Sequence, residues 1–130
     1  MRIVIYLPPI TKKNSQQIFF NHQTNRPFIA PSRKYKQYET DAGFYLLRAG
    51  RYSGEYPVNV KCLFYMPTRR RVDLVNLLES ADDVLTHYGV VIDDSADYIA
   101  AHDGSRVLYS KDNPRTEIYI SKLDDLRGFC

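Results

Sequence analysis

The chain has 130 residues, 44% hydrophobic and 25% charged, which is the balance of an ordinary globular protein able to bury roughly two thirds of its unfolded surface in one core. Its net charge of +3 is too small to announce a nucleic-acid partner by itself, and no apolar run approaches the roughly 20 residues needed to span a bilayer. Cys62 and Cys130 lack C-x-x-C spacing and no secretory signal precedes them, which argues against disulfide-stapled and redox classes and for a cytoplasmic protein.

In chain order, Arg2–Leu7 alternates around Ile3, Ile5 and Leu7 and is stopped by Pro8-Pro9, the pattern of a first strand. Residues 10–31 form a long connection in which Ile18–Phe20 and Phe28–Ala30 pair as a small hairpin across a His22–Arg26 tip. Lys12, Lys13 and Asn14 in that connection can donate to phosphates; an ordinary polar turn explains them equally well. Ser32 caps a helix closed by Gly50, with Tyr35, Tyr38, Ala42, Tyr45, Leu46 and Ala49 on its inner face. From Tyr56 to Met66 the chain alternates again, Val58, Val60, Cys62, Phe64 and Met66 facing one way and Asn59, Lys61, Leu63 and Tyr65 the other. After a second helix, Val90–Ile92 reads as a short strand ending at Asp93-Asp94. Tyr98–Tyr109 is an extended strand interrupted at Asp103-Gly104, and Arg115–Ser121 is the last strand. Residues 122–130 read as a frayed tail. The sum is a single α+β domain over 1–130: a mixed sheet of about four or five strands packed against two main helices.

The stretch from Met66 to Asp94, MPTRRRVDLVNLLESADDVLTHYGVVIDD, concentrates the chemistry. Leu74, Leu77, Leu78, Ala81, Val84, Leu85 and Tyr88 share one helical stripe, and Asn76, Glu79, Asp82 and Asp83 fall on the opposite side. Asp73 stands at the N-cap and Gly89 at the stop. Arg69, Arg70 and Arg71 precede the helix start, whose unpaired N–H groups and dipole favour anions. With Lys12, Lys13, Arg26, Arg33, Lys34 and Lys36, they gather positive charge in loops and helix starts, where phosphates are met. Taken separately, Asp73 is explained as a cap and Asp93-Asp94 as a turn. His102, alone on a strand, reads as structural, with proton carrier as the alternative.

The basic run, the D-L-x-N-L formed by Asp73, Leu74, Asn76 and Leu77, and the G-V-V-I-D-D ending at Asp94 resemble the RusA family of Holliday-junction resolvases. That family reads R-x-D-L-D-N-L-x-K and, further on, L-x-D-D. LPPITKKNS is similar to the family's loop with Pro-Pro and Asn, and PRTEIYI to its closing strand, so the resemblance covers nearly the whole chain. It implies a homodimeric, magnesium-dependent endodeoxyribonuclease, with manganese able to substitute, that resolves four-way DNA junctions by paired nicks in recombination or repair, typically in prophages. It implies metal-binding and catalytic roles for Asp73 and Asp94, with Asp93 beside them, and DNA contacts for Lys12, Lys13, Asn14, Arg69, Arg70, Arg71 and Asn76. The chemistry is consistent: cutting a phosphodiester needs an activated water and a neutralised phosphate, and magnesium held by one or two carboxylates supplies both.

Two positions depart from the family pattern. Its second helix aspartate falls at Val75 and its lysine at Glu79. Valine cannot ligate, but Glu79 lies one helical turn beyond it on the same side and restores the lost negative charge, which makes Glu79 a candidate catalytic and metal-binding residue. The alternative is a protein that binds junctions with an impaired metal site and does not cut them. A third reading, an adaptor independent of metal, leaves Asp73 as a cap alone.

Overall fold

The alternating segments become β1 (Arg2–Ile5), β4 (Val58–Met66), β5 (Ile99–Ala101), β6 (Arg106–Tyr109) and β7 (Arg115–Lys122) of one mixed sheet; β2 (Gln16–Asn21) and β3 (Arg26–Pro31) form a separate two-stranded hairpin. Two helices, α1 (Arg33–Ala49) and α2 (Leu74–His87), complete the α+β architecture. The computed structural model describes residues 1–12 and 16–123. The sheet runs β1-β7-β4 in antiparallel order, and both β5 and β6 lie parallel to β4 along its outer edge. The parallel step from β4 to β5 requires a crossover, and α2 supplies it.

Cross-strand register sorts the two faces of the sheet. Ile3 stands opposite Ile118, which stands opposite Cys62; Ile5, Thr116 and Phe64 form the next row, and Val60 faces Ile120. All are buried, and against them pack Tyr35, Tyr38, Ala42 and Leu46 of α1 and Leu77, Ala81, Val84 and Leu85 of α2. Each large apolar side chain so buried contributes about 1.5–3 kcal/mol. The other face carries Arg2, Lys61, Tyr119, Tyr65 and Arg115, whose cations lie over the rings: the Arg115 guanidinium is 3.7 Å from the Tyr65 centroid.

The caps fall where the sequence places them. Ser32 Oγ accepts from Tyr35 N–H at 3.1 Å, and Asp73 Oδ1 accepts from Val75 N–H at 3.0 Å. Three expectations change. Ala49, in the last turn of α1, is exposed. Val90–Ile92 is not a strand: Val90 and Val91 are buried, but their N–H groups turn back to Leu85 O at 2.9 and 3.4 Å, closing the helix end. Lys122 still belongs to β7 and Leu123 N–H donates to Pro57 O at 3.0 Å, so the sheet extends into the expected tail; 124–130 lie outside the described residues.

The Asp103-Gly104 interruption has a physical cause. Between β5 and β6, the groups of β4 that a continuous parallel strand would bond meet side chains instead. His102 Nδ1 donates to Val60 O at 2.8 Å, and Cys62 N–H donates to Ser105 Oγ at 2.9 Å. Asn59 clamps the turn, accepting from Asp103 N–H at 2.7 Å and donating to Asp103 O at 3.2 Å. Gly104 takes a φ of 86°, which favours glycine.

The same turn presents His102 Nε2 to Asp82 Oδ2 of α2 at 2.8 Å, so Asp82 is largely buried rather than on a solvated helix face. With Nδ1 spent on a carbonyl, Nε2 also bears a proton when the ring faces a carboxylate, which makes the pair imidazolium and aspartate. The Asp82 bond raises the His102 pKa above its ordinary 6.5. Burial raises that of Asp82, more than its bond to His102 lowers it. Both shifts have one sign: stability supplied by His102 is complete below its unfolded value and lost as pH rises through the higher folded value, and ionised Asp82 adds a cost in the same direction. Stability to urea should therefore fall as pH rises above the ordinary histidine value of 6.5. In Asp82→Asn the amide donates to a neutral ring and that slope should disappear. An unchanged slope would contradict the pair.

Candidate functional site

The Arg turn and α2 position most of the candidate residues. Arg69, Arg70 and Arg71 are all exposed on the loop that carries β4 into α2. The Arg69 guanidinium lies 4.3 Å from the Tyr109 ring centroid, beside a cleft of about 500 Å³ between this loop and β6. Arg70 and Arg71 line a larger cleft, about 700 Å³, on the other side. Pro8 and Pro9, Tyr38, Met66 and Val72 give it apolar walls, and Lys34 from the first turn of α1 adds a third cation. The arginines thus rim two clefts, and Lys34 joins a basic edge that begins in the adjoining helix.

Asp73 is exposed and caps α2, and Asn76 is half-buried in the first turn. Val75 is 69% exposed, so its side chain belongs to the surface and not to the core. One turn further along, Glu79 is exposed and Asp83 half-buried, spaced by one more turn. The chain then returns past the helix, and Asp93 and Asp94 take different environments. Asp93 is bound up in its own turn: hydrogen bonds from Asp94 and Ser95 hold its pKa below the usual 3.8. Asp94 is exposed, and its charge acts on Asp82 and Asp83.

Asp83 is therefore the centre of the acidic edge. Burial, and after it the like charges of Glu79, Asp94 and Asp82, hold its pKa above 3.8 against the pull of Lys12. Lys12 Nζ stands 3.9 Å from Asp83 Oδ2, and its backbone N–H donates to the buried Ser80 Oγ at 3.0 Å, which ties the Pro-Pro loop to α2. Lys12 thus sits at the acidic edge and not on the basic rim. Lys13 and Asn14 lie outside the described residues.

The structure thus brings Glu79, Asp83 and Asp94 into one electrostatic neighbourhood, with Asp82 behind them and Asp73 at the helix end. Asp82 and Asp83 are not among the site residues that the sequence suggests; the signal for Asp83 is its spacing of four from Glu79. Among the described residues, no group of three His, Cys, Asp or Glu side chains stands ready as a metal cage. Magnesium does not demand one: it keeps several waters and takes one or two carboxylates plus the substrate's phosphate. The hard oxygen donors here, mutually repelling and partly exposed, fit that ion.

No helix among the described residues is long and apolar enough to cross a membrane. In comparison with known proteins, no curated sequence matches the chain directly. The family model described as endodeoxyribonuclease RusA matches residues 7–121, from the Pro-Pro loop through α2 and the paired aspartates to the last strand. The match spans most of the 130 residues, and the chain belongs to the RusA endodeoxyribonuclease family.

Proposed function

We propose that this protein is a magnesium-dependent endonuclease that resolves four-way DNA junctions by paired nicks. The observation that carries the reading is the acidic edge at Glu79, Asp83 and Asp94, formed along and after the helix that follows a loop of three exposed arginines, in a chain of the RusA family. Asp94 and Asp73 would hold the ion, with Glu79 and Asp83 contributing charge or a water-mediated contact. When bound, magnesium neutralises charge on the scissile phosphate and lowers the pKa of a coordinated water. Arg69, Arg70 and Arg71 position the DNA backbone and give no base readout. Lys12 offsets the repulsion around Asp83, and Asn76 orients the helix start.

Removing one ligand charge separates this reading from a site that only binds. Asp94→Asn should lower magnesium-dependent nicking of a synthetic four-way junction at least a hundredfold, about 2.7 kcal/mol of barrier. Junction affinity should be equal or tighter, because a negative charge near phosphate is lost. Full activity in Asp94→Asn would overturn the assignment. If the parent protein binds junctions with steep salt dependence yet never cuts them in magnesium or manganese, the alternative of an impaired site holds.

Glu79 supplies the charge that Val75 cannot. Both side chains are exposed, one helical turn apart, so the replacement carboxylate reaches the same side of α2. Glu79→Gln keeps shape and helix propensity, and should slow nicking at least tenfold, about 1.4 kcal/mol. The double change Val75→Asp, Glu79→Lys should restore the rate. Equal cutting by Glu79→Gln and the parent would refute compensation.

Two opposed nicks need two sites, and a closed homodimer provides them without additional sequence. Two surfaces are candidates for the interface: Leu63 and Tyr65 on the alternate face of β4, or Val107 and Tyr109, exposed at the outer edge of the sheet. Sedimentation at micromolar concentration should give twice the 15.1 kDa chain mass. A species that stays monomeric on a junction would leave only a single-strand nicking enzyme.

A further inference from the structure

The β2–β3 hairpin has features that the acidic edge does not explain. It is its own two-stranded sheet, and such a ribbon is marginally stable unless it packs on something. Its register sets Ile18 opposite Ile29 and Phe20 opposite Pro27 on one face, and Phe19 opposite Phe28 on the other. Ile18 is 77% exposed, Ile29 67%, Phe20 48% and Phe28 47%. The rings are arranged: Phe19 stacks on Phe28 at 5.7 Å between centroids, and Phe20 meets His22 edge-on at 5.4 Å. The tip is a defined turn, with Asn21 Oδ1 accepting from Gln23 and Thr24 N–H at 2.9 and 3.2 Å.

Charge identifies what such an apolar surface meets. No Asp or Glu precedes Glu39 anywhere in the chain, although the protein has 15 of them. Arg26 stands exposed at the hairpin tip, and Arg33, Lys34 and Lys36 are exposed just beyond its base. Lys34 carries this basic surface into the cleft rimmed by Arg70 and Arg71. Exposed aromatic and aliphatic side chains on a carboxylate-free arm, with Arg26 at its tip and the cations of α1 beyond its base, are the combination that stacks on unpaired bases or wedges between base steps while cations hold the flanking phosphates. Two copies of the arm meeting each other would set these cations against one another.

We infer that the β2–β3 hairpin is a wedge that engages unstacked bases at the branch point of a DNA junction. The inference rests on the proposed action on branched DNA. It assigns to Phe20, Phe28, Ile18 and Ile29 a recognition role separate from the carboxylates, which act on the phosphate.

The test uses the full-length protein and a four-way junction with 2-aminopurine at the branch point, in calcium to prevent cutting. The parent should raise 2-aminopurine emission severalfold. The pair Phe20→Ala, Phe28→Ala should abolish that rise and weaken junction binding at least tenfold, while binding to plain duplex, a check on folding, stays within twofold. Phe20→Trp should retain the parent's affinity for the junction, because a larger ring still stacks. An equal rise with parent and alanine variant would overturn the wedge. So would a parent that binds and nicks junctions with no change in emission, and that outcome would leave the nuclease reading standing. If the alanine variant instead loses self-association in sedimentation while its emission matches the parent's, the hairpin is a contact between copies and the wedge is wrong. A parent with no preference for junction over duplex would sink both readings together.

Discussion

Parallel pairing of β4 with β5 is the constraint on which the rest of the molecule depends. Parallel neighbours cannot be joined by a tight turn, so the chain must leave the end of β4, cross the sheet as a helix and come back. That single excursion places three arginines where β4 ends, a helix N-terminus directly after them, a line of carboxylates along the helix and an aspartate pair on the return. Residues separated by some twenty positions in sequence meet because the crossover brings the chain back along its own helix.

The helix serves two masters, and their demands conflict. Its apolar stripe, Leu77, Ala81, Val84 and Leu85, is fixed by burial against the sheet. Its carboxylates are left beside the returning chain, where Asp94 adds to charges already crowded at Asp83. Nothing about packing requires four acidic groups there. Two of them are balanced within the fold, Asp82 by His102 and Asp83 in part by Lys12. The remaining like-charge repulsion around Asp83 is of the kind that a bound cation would relieve.

The elements themselves were readable from the chain. Period-two alternation in 56–66 and the 3.6 stripe of α2 report burial directly, and Ser32, Asp73 and Gly50 mark helix ends by backbone chemistry that operates locally. Val90–Ile92 misled because apolarity reports burial and not backbone pairing; Val90 and Val91 fill the core while their N–H groups close a helix. Asp82 misled for a related reason. A helical wheel shows which side is opposite the stripe, but not that His102 from a broken strand would cover that side. The break is legible as Asp103-Gly104, yet the substitution of His102 and Ser105 for missing ladder partners depends on long-range geometry. The distinction between Asp93 and Asp94 was equally hidden, since adjacent identical residues differ only in which way the turn aims them.

What unites these observations is the claim that the acidic edge of α2 and the returning Asp94 form one cation site. Titration with manganese(II), followed by broadening of side-chain carboxylate ¹³C resonances, examines that claim without DNA and without turnover. The account predicts that Asp94, Asp83, Glu79 and Asp73 broaden first and together, while Asp103, Asp112 and Glu55 do not. Broadening centred on those remote carboxylates, or spread evenly over all of them, would contradict it.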